Sequence, residues 1–409
     1  MTYPEILDYI FQSFPMYHRI GSAAYKEGLE NIEFLAAMAG NPEKKLKTIH
    51  IAGTNGKGSV AHLLASYFQE LGYKTGLFTS PHLIDYRERI KINGKMISEQ
   101  KVVDFFAKYQ KEMQKISPSF FEMTTILAFD TFVDENVDIA IIEVGLGGRL
   151  DATNILSPIL SVITNISQEH TKMLGNTLAK IAYEKAGIIK PNTPVVIGEY
   201  HPETFPVFEN MAKNKNASLF LAEEYHGDLE FGGIYQQKNL GTFFKCVQIL
   251  ETVLQETKQG SLDNTIQNLQ KNTAFSGRWQ IFSKSPLTIC DVAHNPAGIE
   301  LVMKQLQTIP YRTLHIIIGF ANDKDLDQII SFLPKTAKYY PCQPQIERAM
   351  PAEELYYKLK SAHLFVSTIS QDQTVINSYK QALSVAQEAD IIFIGGSFFI
   401  VGEFLQNYE

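Results

Sequence analysis

The stretch that most restricts what this chain can fold into runs from Thr48 to Gly72, TIHIAGTNGKGSVAHLLASYFQELG. Ile49 to Ala52 is a short apolar, β-branched run that reads as a buried strand. Gly53, Gly56 and Gly58 then crowd around Lys57. Val60, Leu63, Leu64, Tyr67, Phe68 and Leu71 recur at helical spacing, and Gly72 is placed to stop that helix. Strand, glycine loop with lysine, helix is an order that builds a phosphate site. Glycines let backbone N–H groups turn toward an anion, the helix start adds positive dipole, and the lysine adds a point charge. Ser59 can hold a magnesium ion through its hydroxyl. The strict pattern is broken twice: Ile51 stands where the first glycine belongs, and Gly58 separates Lys57 from Ser59. A plain glycine turn would carry the same glycines; the flanking strand and helix are what favour phosphate.

The remaining sequence alternates between strand-like and helix-like stretches, as a doubly wound parallel sheet requires. At 409 residues the chain exceeds a usual single core, so two domains are expected, 1–273 and 274–409. Residues 1 to about 46 read as helical, with Ile6, Ile10 and Phe14 on one face. In the first domain, further strands are expected at 75–79, 138–144, 159–164 and 194–198. Residues 199 to about 272 are mostly polar and helical. In the second domain, strands are expected at 287–292, 314–320, 337–340, 364–367 and 391–394. That half has no phosphate loop, which makes it a substrate clamp rather than a second ATPase.

Several residues sit at expected strand ends, the edge where open α/β sheets bind ligands. Ser80 follows the 75–79 strand. Glu143 closes an otherwise apolar strand, DIAIIEV, where a carboxylate is costly to bury unless it is partnered. A shared magnesium ion would be one partner, and a capping contact at the sheet edge another. His170 lies on a loop after 159–164, as a ligand or as an ordinary hydrogen-bonded histidine. Lys185 is on a helix, where a solvated lysine is the plain expectation. The stretch DYRERIKINGKMIS carries Arg87, Arg89, Lys91 and Lys95 and turns at Asn93-Gly94. It reads either as a solvated hairpin or as a rim that attracts an anionic substrate. The phenylalanines of SFFEMT (119–124) belong to the core unless that helix start faces the site.

Composition sets outer limits. Apolar content of 45% and charged content of 20% are those of a soluble globular chain. A net charge of −7 leaves no global basic field, so no nucleic-acid partner is expected. Cys246, Cys290 and Cys342 are far apart and lack metal-ligand spacing, which fits a reducing cytoplasm. The first residues carry no basic leader, and no apolar run approaches the ~18 to 20 residues that span a bilayer. A cytoplasmic monomer without a membrane partner is expected.

Taken together the motifs resemble the folylpolyglutamate synthase and dihydrofolate synthase enzymes of the Mur ligase superfamily. The residues that carry the resemblance, in order, are AGTNGKGSV (52–60), TSPHL (79–83), SFFEMT (119–124), EVGLGGRLDATN (143–154) and ITNISQEHT (163–171). EKAGI (184–188), SGRWQ (276–280), DVAHNP (291–296) and the similar FFIVGEFL (398–405) complete the set. The resemblance implies a P-loop ATPase domain with a parallel sheet, and a smaller Rossmann-like α/β domain after it. It implies ATP-dependent amide ligation, in which L-glutamate is added to dihydropteroate or to a reduced folate through an acyl phosphate. ATP is the substrate that activates the acid, and two Mg²⁺ ions are the cofactor.

By the same resemblance, ATP would be held by Thr54, Asn55, Gly56, Lys57, Gly58, Ser59, Asn239, Arg278 and Asp291. Ser80, Glu143 and His170, with Ser59 near the first ion, would be the magnesium ligands. Lys185 would carry a carbamate that helps hold the second ion. The pterin-linked acid would lie against Phe121, Glu122, Met123 and Thr124, and near Leu150, Asp151 and Ala152. His294 and Asn295 would handle the incoming glutamate, with Lys57, Lys185 and His294 as the catalytic set. One departure stands out: the residue before His170 is usually aspartate in that family and here is Glu169. Competing readings are a plain P-loop ATPase or kinase, and a related ligase acting on a nucleotide-sugar peptide. TSPHL and SFFEMT argue against the latter.

Overall fold

The computed structural model describes residues 1–15, 28–229, 231–255, 261–322, 324–368 and 372–408. Eight strands form the first sheet: β1 (Thr48–Ala52), β2 (Thr75–Phe78), β3 (Ile90–Ile92), β4 (Lys95–Met96), β5 (Ile139–Glu143), β6 (Leu160–Ile163), β7 (Val195–Ile197) and β8 (Leu219–Leu221). Their order is β4-β3-β2-β5-β1-β6-β7-β8. From β2 to β8 all pairings are parallel. The parallel body carries an antiparallel edge: β3 runs antiparallel to β2 and β4 antiparallel to β3. The cause is local. Asn93 and Gly94 both have positive φ, 47° and 73°, and so short a turn can join only antiparallel neighbours.

Helices cover both faces of this sheet, as parallel strands buried on two sides demand. On one face the helices Tyr3–Ser13, Glu30–Met38, Glu99–Ile116 and Phe120–Asp134 share a core with Phe78, Ile90 and Ile142. Ile6, Ile10 and Phe14 are buried there, the stripe that the N-terminal spacing predicts. Farther along the same face Ala52, Ile163 and Ile197 pack with the helices Leu178–Ala186 and Phe205–Asn214, while the helices Lys57–Glu70 and Gln236–Leu254 cover the opposite face. Part of the early helical reading, residues 16–27, lies outside the described residues. Among the residues expected to be only polar and helical, β8 is a short edge strand whose half-exposed side chains give little apolar signal.

The second sheet contains β9 (Gln280–Lys284), β10 (Leu287–Asp291), β11 (Leu314–Ile318), β12 (Lys338–Pro341), β13 (Phe365–Val366) and β14 (Ile391–Gly395). Their order is β13-β12-β11-β14-β10-β9. All pairs are parallel except β9, which returns antiparallel beside β10. β9 is absent from the strand expectations because its residues are partly exposed and follow the irregular SGRWQ stretch.

The chain divides into two compact units. The first holds 1–81, 86–230 and 236–275; the second holds 82–85, 231–235 and 276–409. Two short segments from the earlier sequence, 82–85 and 231–235, thus belong with the later unit, a non-local pairing that no linker composition announces. No helix among the described residues is long and apolar enough to cross a membrane.

Candidate active site

The strand order brings the carboxyl ends of β2, β5, β1, β6 and β7 side by side. The ends of β2, β5, β1 and β6 each carry a motif from the sequence. β1 runs into Gly53, and the helix Lys57–Glu70 begins directly after the loop, with Gly56 at φ 84° as its cap. Gly53 has φ 147°, and a Cβ there would overlap the Thr164 hydroxyl. A Cβ on Gly56 would likewise collide with the Asn239 amide. Both glycines are therefore required by close approach as well as by backbone angle.

The segment after β6 backs the glycine loop. Thr54 N–H donates to Asn165 O at 2.9 Å, and Asn55 N–H to Asn165 Oδ1 at 2.8 Å. Thr164 Oγ1 donates to Asn55 O at 2.5 Å, and Ser167 N–H to Thr54 Oγ1 at 3.0 Å. Asn165 Nδ2 reaches Glu199 Oε1 at 3.0 Å, while Lys238 Nζ holds Glu199 Oε2 at 2.6 Å. A carboxylate accepts only, so Glu199 dictates which end of the Asn165 amide faces Asn55. Thr164, Asn165, Ser167 and Glu199 are missing from the sequence-derived site. TNIS was visible as a motif, but nothing in it says that it clamps a loop some 110 residues earlier.

Two lysines converge on one carbonyl. Lys57 Nζ donates to Gly53 O and Thr54 O, each at 3.1 Å, and Lys185 Nζ donates to Gly53 O at 2.7 Å. Lys185 is buried, 5% exposed, not the solvated helix lysine that its position suggests. Burial first, and then the neighbouring Lys57 charge, lower its pKa to about 7; Glu169 and Asp151 oppose the shift. The Glu169 carboxylate is thus near enough to Lys185 to favour its charged form. The same carboxylate lies 3.9 Å from His170 Nε2. His170 begins the short helix Thr171–Leu174 in a left-handed conformation, φ 52°.

Glu143 ends β5 and is 4% exposed. Its Oε2 accepts the Ser80 N–H at 3.1 Å, so the ends of β5 and β2 are tied together. Ser59 Oγ accepts from Gln236 Nε2 at 3.3 Å, and Gln236 Oε1 accepts from Asn239 Nδ2 at 2.7 Å. Gln236, fully buried, thus joins Ser59 to Asn239, a link that only the fold reveals. Among the described residues no three His, Cys, Asp or Glu side chains gather as a metal cage. The Glu143 carboxylate and the Ser59 and Ser80 hydroxyls are hard oxygen donors of the kind magnesium takes, with water and phosphate oxygens filling its shell; the His170 imidazole is the softer member of the set.

The residues expected on the acceptor side separate by depth. Phe121 is half-buried; its ring lies 5.7 Å from that of Phe78 and so close over Gly145 that a side chain there would not fit. Glu122, Met123 and Thr124 point inward. Glu122 forms a capping box with Ser119, at 2.6 and 3.2 Å, and Thr124 donates to Phe120 O at 2.7 Å. Asp151 is buried, and desolvation raises its pKa against four hydrogen bonds that lower it. Leu150 is half-buried and Ala152 buried beside it.

The charged hairpin is neither fully solvated nor a simple rim. Lys95 is exposed, but Lys91 is buried and donates to Thr273 O at 2.9 Å. Arg89 is also buried, over the Phe120 ring at 5.1 Å. Its pKa falls to about 10 by desolvation, against the charges of Tyr86, Glu143 and Glu88.

In the second unit, Asp291 ends β10 and is fully enclosed by donors. Trp279 N–H reaches Oδ2 and Ala293 N–H reaches Oδ1, both at 2.8 Å, and the Tyr235 hydroxyl also donates to Oδ2. Burial raises the pKa of Asp291, with the Arg278 charge opposing it. Arg278 lies 4.8 Å over the Phe398 ring, and His294 sits 5.5 Å from the same ring. His294 Nδ1 meets Val292 O at 2.9 Å. A carbonyl can only accept, so Nδ1 carries the proton of this bond. Asn295 caps the helix Pro296–Thr308 through Gly298 N–H at 2.9 Å.

A glycine loop at a helix start, a strand-end carboxylate and a second α/β unit are the features of a Mur-type ligase. The sequence matches the Mur ligase middle domain over residues 51–262 and the Mur ligase glutamate ligase domain over residues 277–398. The dihydrofolate synthase/folylpolyglutamate synthase of Escherichia coli (strain K12) is 31% identical over 398 residues, covering 93% of this chain and 90% of that one. The structure of E. coli FolC in complex with DHPP and ADP superposes with a TM-score of 0.85 at 29% identity, over 99% of this chain and 97% of the other. A bifunctional folylpolyglutamate synthase/dihydrofolate synthase with Mn, AMPPNP and L-glutamate bound gives 0.82 at 26%, over 99% and 98%. The chain belongs to the dihydrofolate synthase/folylpolyglutamate synthase family of Mur ligases, and it is an ATP-dependent ligase that adds glutamate.

Proposed function

We propose that the chain joins L-glutamate to both dihydropteroate and reduced folates through an acyl phosphate. The observation that carries this reading is the convergence of Lys57 and Lys185 on the Gly53 carbonyl, beside the strand-end Glu143. A carboxylate does not condense with an amine at neutral pH, because its oxygen leaves poorly. In the first step the acid's oxygen attacks the γ-phosphorus of ATP and ADP leaves. In the second the glutamate amine attacks the carbonyl carbon, phosphate leaves, and the amine gives up a proton.

Transfer of this kind depends on position and charge neutralisation. Thr54, Asn55, Gly56, Lys57, Gly58 and Ser59 cradle the phosphates, and Lys57 turns from the loop carbonyls to the β- and γ-oxygens. Asn239 takes the adenine side. On the second unit Arg278 and Asp291 serve the nucleotide. His294 accepts the amine proton at Nε2, with Asn295 beside it. Ser80, Glu143, His170 and Ser59 would hold two magnesium ions, which when bound would neutralise charge on the phosphate oxygens. Lys185, with a pKa of about 7, presents enough neutral amine at physiological pH to add CO₂ and become a carbamate. Phe121 and Asp151 form the acceptor side, with Leu150 and Ala152.

The test supplies ATP, magnesium and glutamate with either dihydropteroate or tetrahydrofolate, and reads ADP release together with product mass. A gain of one glutamate on dihydropteroate and repeated gains on tetrahydrofolate are expected. Gain on one acceptor alone would reduce the reading to that activity. ADP release without an amide product would overturn it.

A further inference from the structure

His50 lies in the middle of β1, fully buried between Ile142 of β5 and Ser161 of β6, and has no place in the chemistry above. Its Nε2 is 2.7 Å from Thr153 Oγ1. Thr153 Oγ1 in turn donates to Asp151 Oδ1 at 2.5 Å. The threonine proton is thus committed to the carboxylate, so the hydroxyl's lone pair must receive a proton from His50. That assigns the Nε2–H form of the imidazole. Burial, aided by the Lys190 charge, keeps the ring neutral by pushing its pKa down to about 3.

Asp151 is the far end of this chain of bonds. Its Oδ1 also accepts Thr153 N–H at 3.0 Å, and its Oδ2 accepts Leu146 N–H at 2.8 Å; Gly145 N–H donates as well. The carboxylate therefore grips the turn that follows Glu143, and Gly145 in that turn lies beneath the Phe121 ring. A rotation of Asp151 would release the turn and the aromatic face together.

We propose that His50 is a positioning residue for the acid substrate, acting through Thr153 to hold Asp151 and the Gly145–Leu146 turn under Phe121. The inference rests on the assignment of Asp151 and Phe121 to the acceptor side. His50 touches no substrate; it sets the threonine hydroxyl, and the hydroxyl sets the carboxylate. Every hydrogen bond of the relay ends on the Asp151 side, so its loss should weigh on the acid substrate more than on ATP.

The full chain is tested as Thr153→Val, which keeps the shape and removes the hydroxyl, and as Thr153→Ser, which returns it. His50→Leu removes the donor, whereas the amide of His50→Gln can stand in for Nε2–H. For Thr153→Val the KM for dihydropteroate should rise about tenfold or more, the scale of a hydrogen bond to a charged group. The KM for ATP should stay within about twofold, and Tm within a few degrees. Thr153→Ser and His50→Gln should recover most of the loss, and the His50→Leu/Thr153→Val pair should be no worse than Thr153→Val alone. If His50→Leu does not fold, the Thr153 pair decides. An unchanged dihydropteroate KM in Thr153→Val, equal shifts for both substrates, or additive losses in the double variant would overturn the relay. Asp151→Asn separates the two levels. If it leaves the dihydropteroate KM unchanged, the acceptor-side assignment fails; if it raises that KM while Thr153→Val does not, only the relay fails.

Discussion

Two charged clusters in this molecule have opposite characters. At the carboxyl edge of the first sheet, Lys57 and Lys185 share the Gly53 carbonyl, and the Lys57 charge disfavours the charged form of Lys185. At the amino ends of β11 and β14 in the second sheet, Asp390 is met on all sides. Arg312 forks onto it at 3.0 and 2.9 Å, Gln387 N–H donates at 2.7 Å, and His315 Nε2 stands 3.5 Å away. These bonds, the Arg312 pair foremost, hold the Asp390 carboxyl well below the usual range. The second cluster is complete in itself and serves stability. The first is an arrangement of like charges that an anion complements, which is how a phosphate site stores stability for use in binding.

The difference can be broken by substitution, and the largest effect is expected at Lys57. Lys57→Met should reduce ligation on the order of a thousandfold, with Tm unchanged, because the lost charge acts on the phosphates in transfer. A wild-type rate in that variant would remove the loop from the mechanism. Lys185→Met should cost about a hundredfold, the scale of a metal-supporting residue, and Lys185→Arg should not restore it, since a guanidinium cannot carry a carbamate. The carbamate itself can be sought by carbon-13 NMR with labelled bicarbonate; its signal should vanish in Lys185→Met.

Stability sharpens the same contrast. A lysine held near 7 when folded and near 10 when unfolded binds fewer protons in the folded state between those values. Its burial penalty is full below about pH 7 and fades as pH rises, so wild-type stability should gain with pH across that window. Lys185→Met should flatten the gain, as urea unfolding at a series of pH values would reveal. Asp390→Asn should do the reverse of the lysine variants. It should lower Tm by a few degrees at pH 7 and leave the rate alone. Asp390 is depressed, so its stabilisation is present above the unfolded carboxylate pKa of about 4 and is lost as pH falls below it. The gap between wild type and Asp390→Asn should therefore close in acid.

The smallest effect is expected at Glu199. Glu199→Gln can offer either end of its amide to Asn165, so the orientation that meets Asn55 N–H is no longer enforced. A severalfold rise in the KM for ATP, with kcat nearly intact, is expected from steady-state kinetics. No change would mean that the Thr164–Ser167 segment holds the loop unaided.

Much of the fold was legible because its signals are local. The apolar run at 49–52, the glycines and the 3.6-residue spacing that follows are written within one stretch, and so is the Asn93-Gly94 turn. β8 and β9 were not legible, since edge strands with half-exposed side chains lack both the apolar run and the clean alternation of buried ones. SFFEMT shows the limit within a motif: Phe121 lies over Gly145, while Glu122 closes a capping box and Met123 and Thr124 turn into the core.

Residue chemistry and local order were thus decided by the sequence itself: a phosphate loop on a helix start, an acid at a strand end, a second α/β half without such a loop. The family resemblance carried by those motifs points to the same ligase class as the comparisons do. Only the tertiary structure decided which groups meet. It buried Lys185 against Gly53, used Asn165 and Glu199 to fasten the loop, and joined His50 to Asp151 through Thr153. The physical reason is that burial and hydrogen-bond partnership depend on groups about a hundred residues apart, brought together by strand order, and no local pattern encodes that distance.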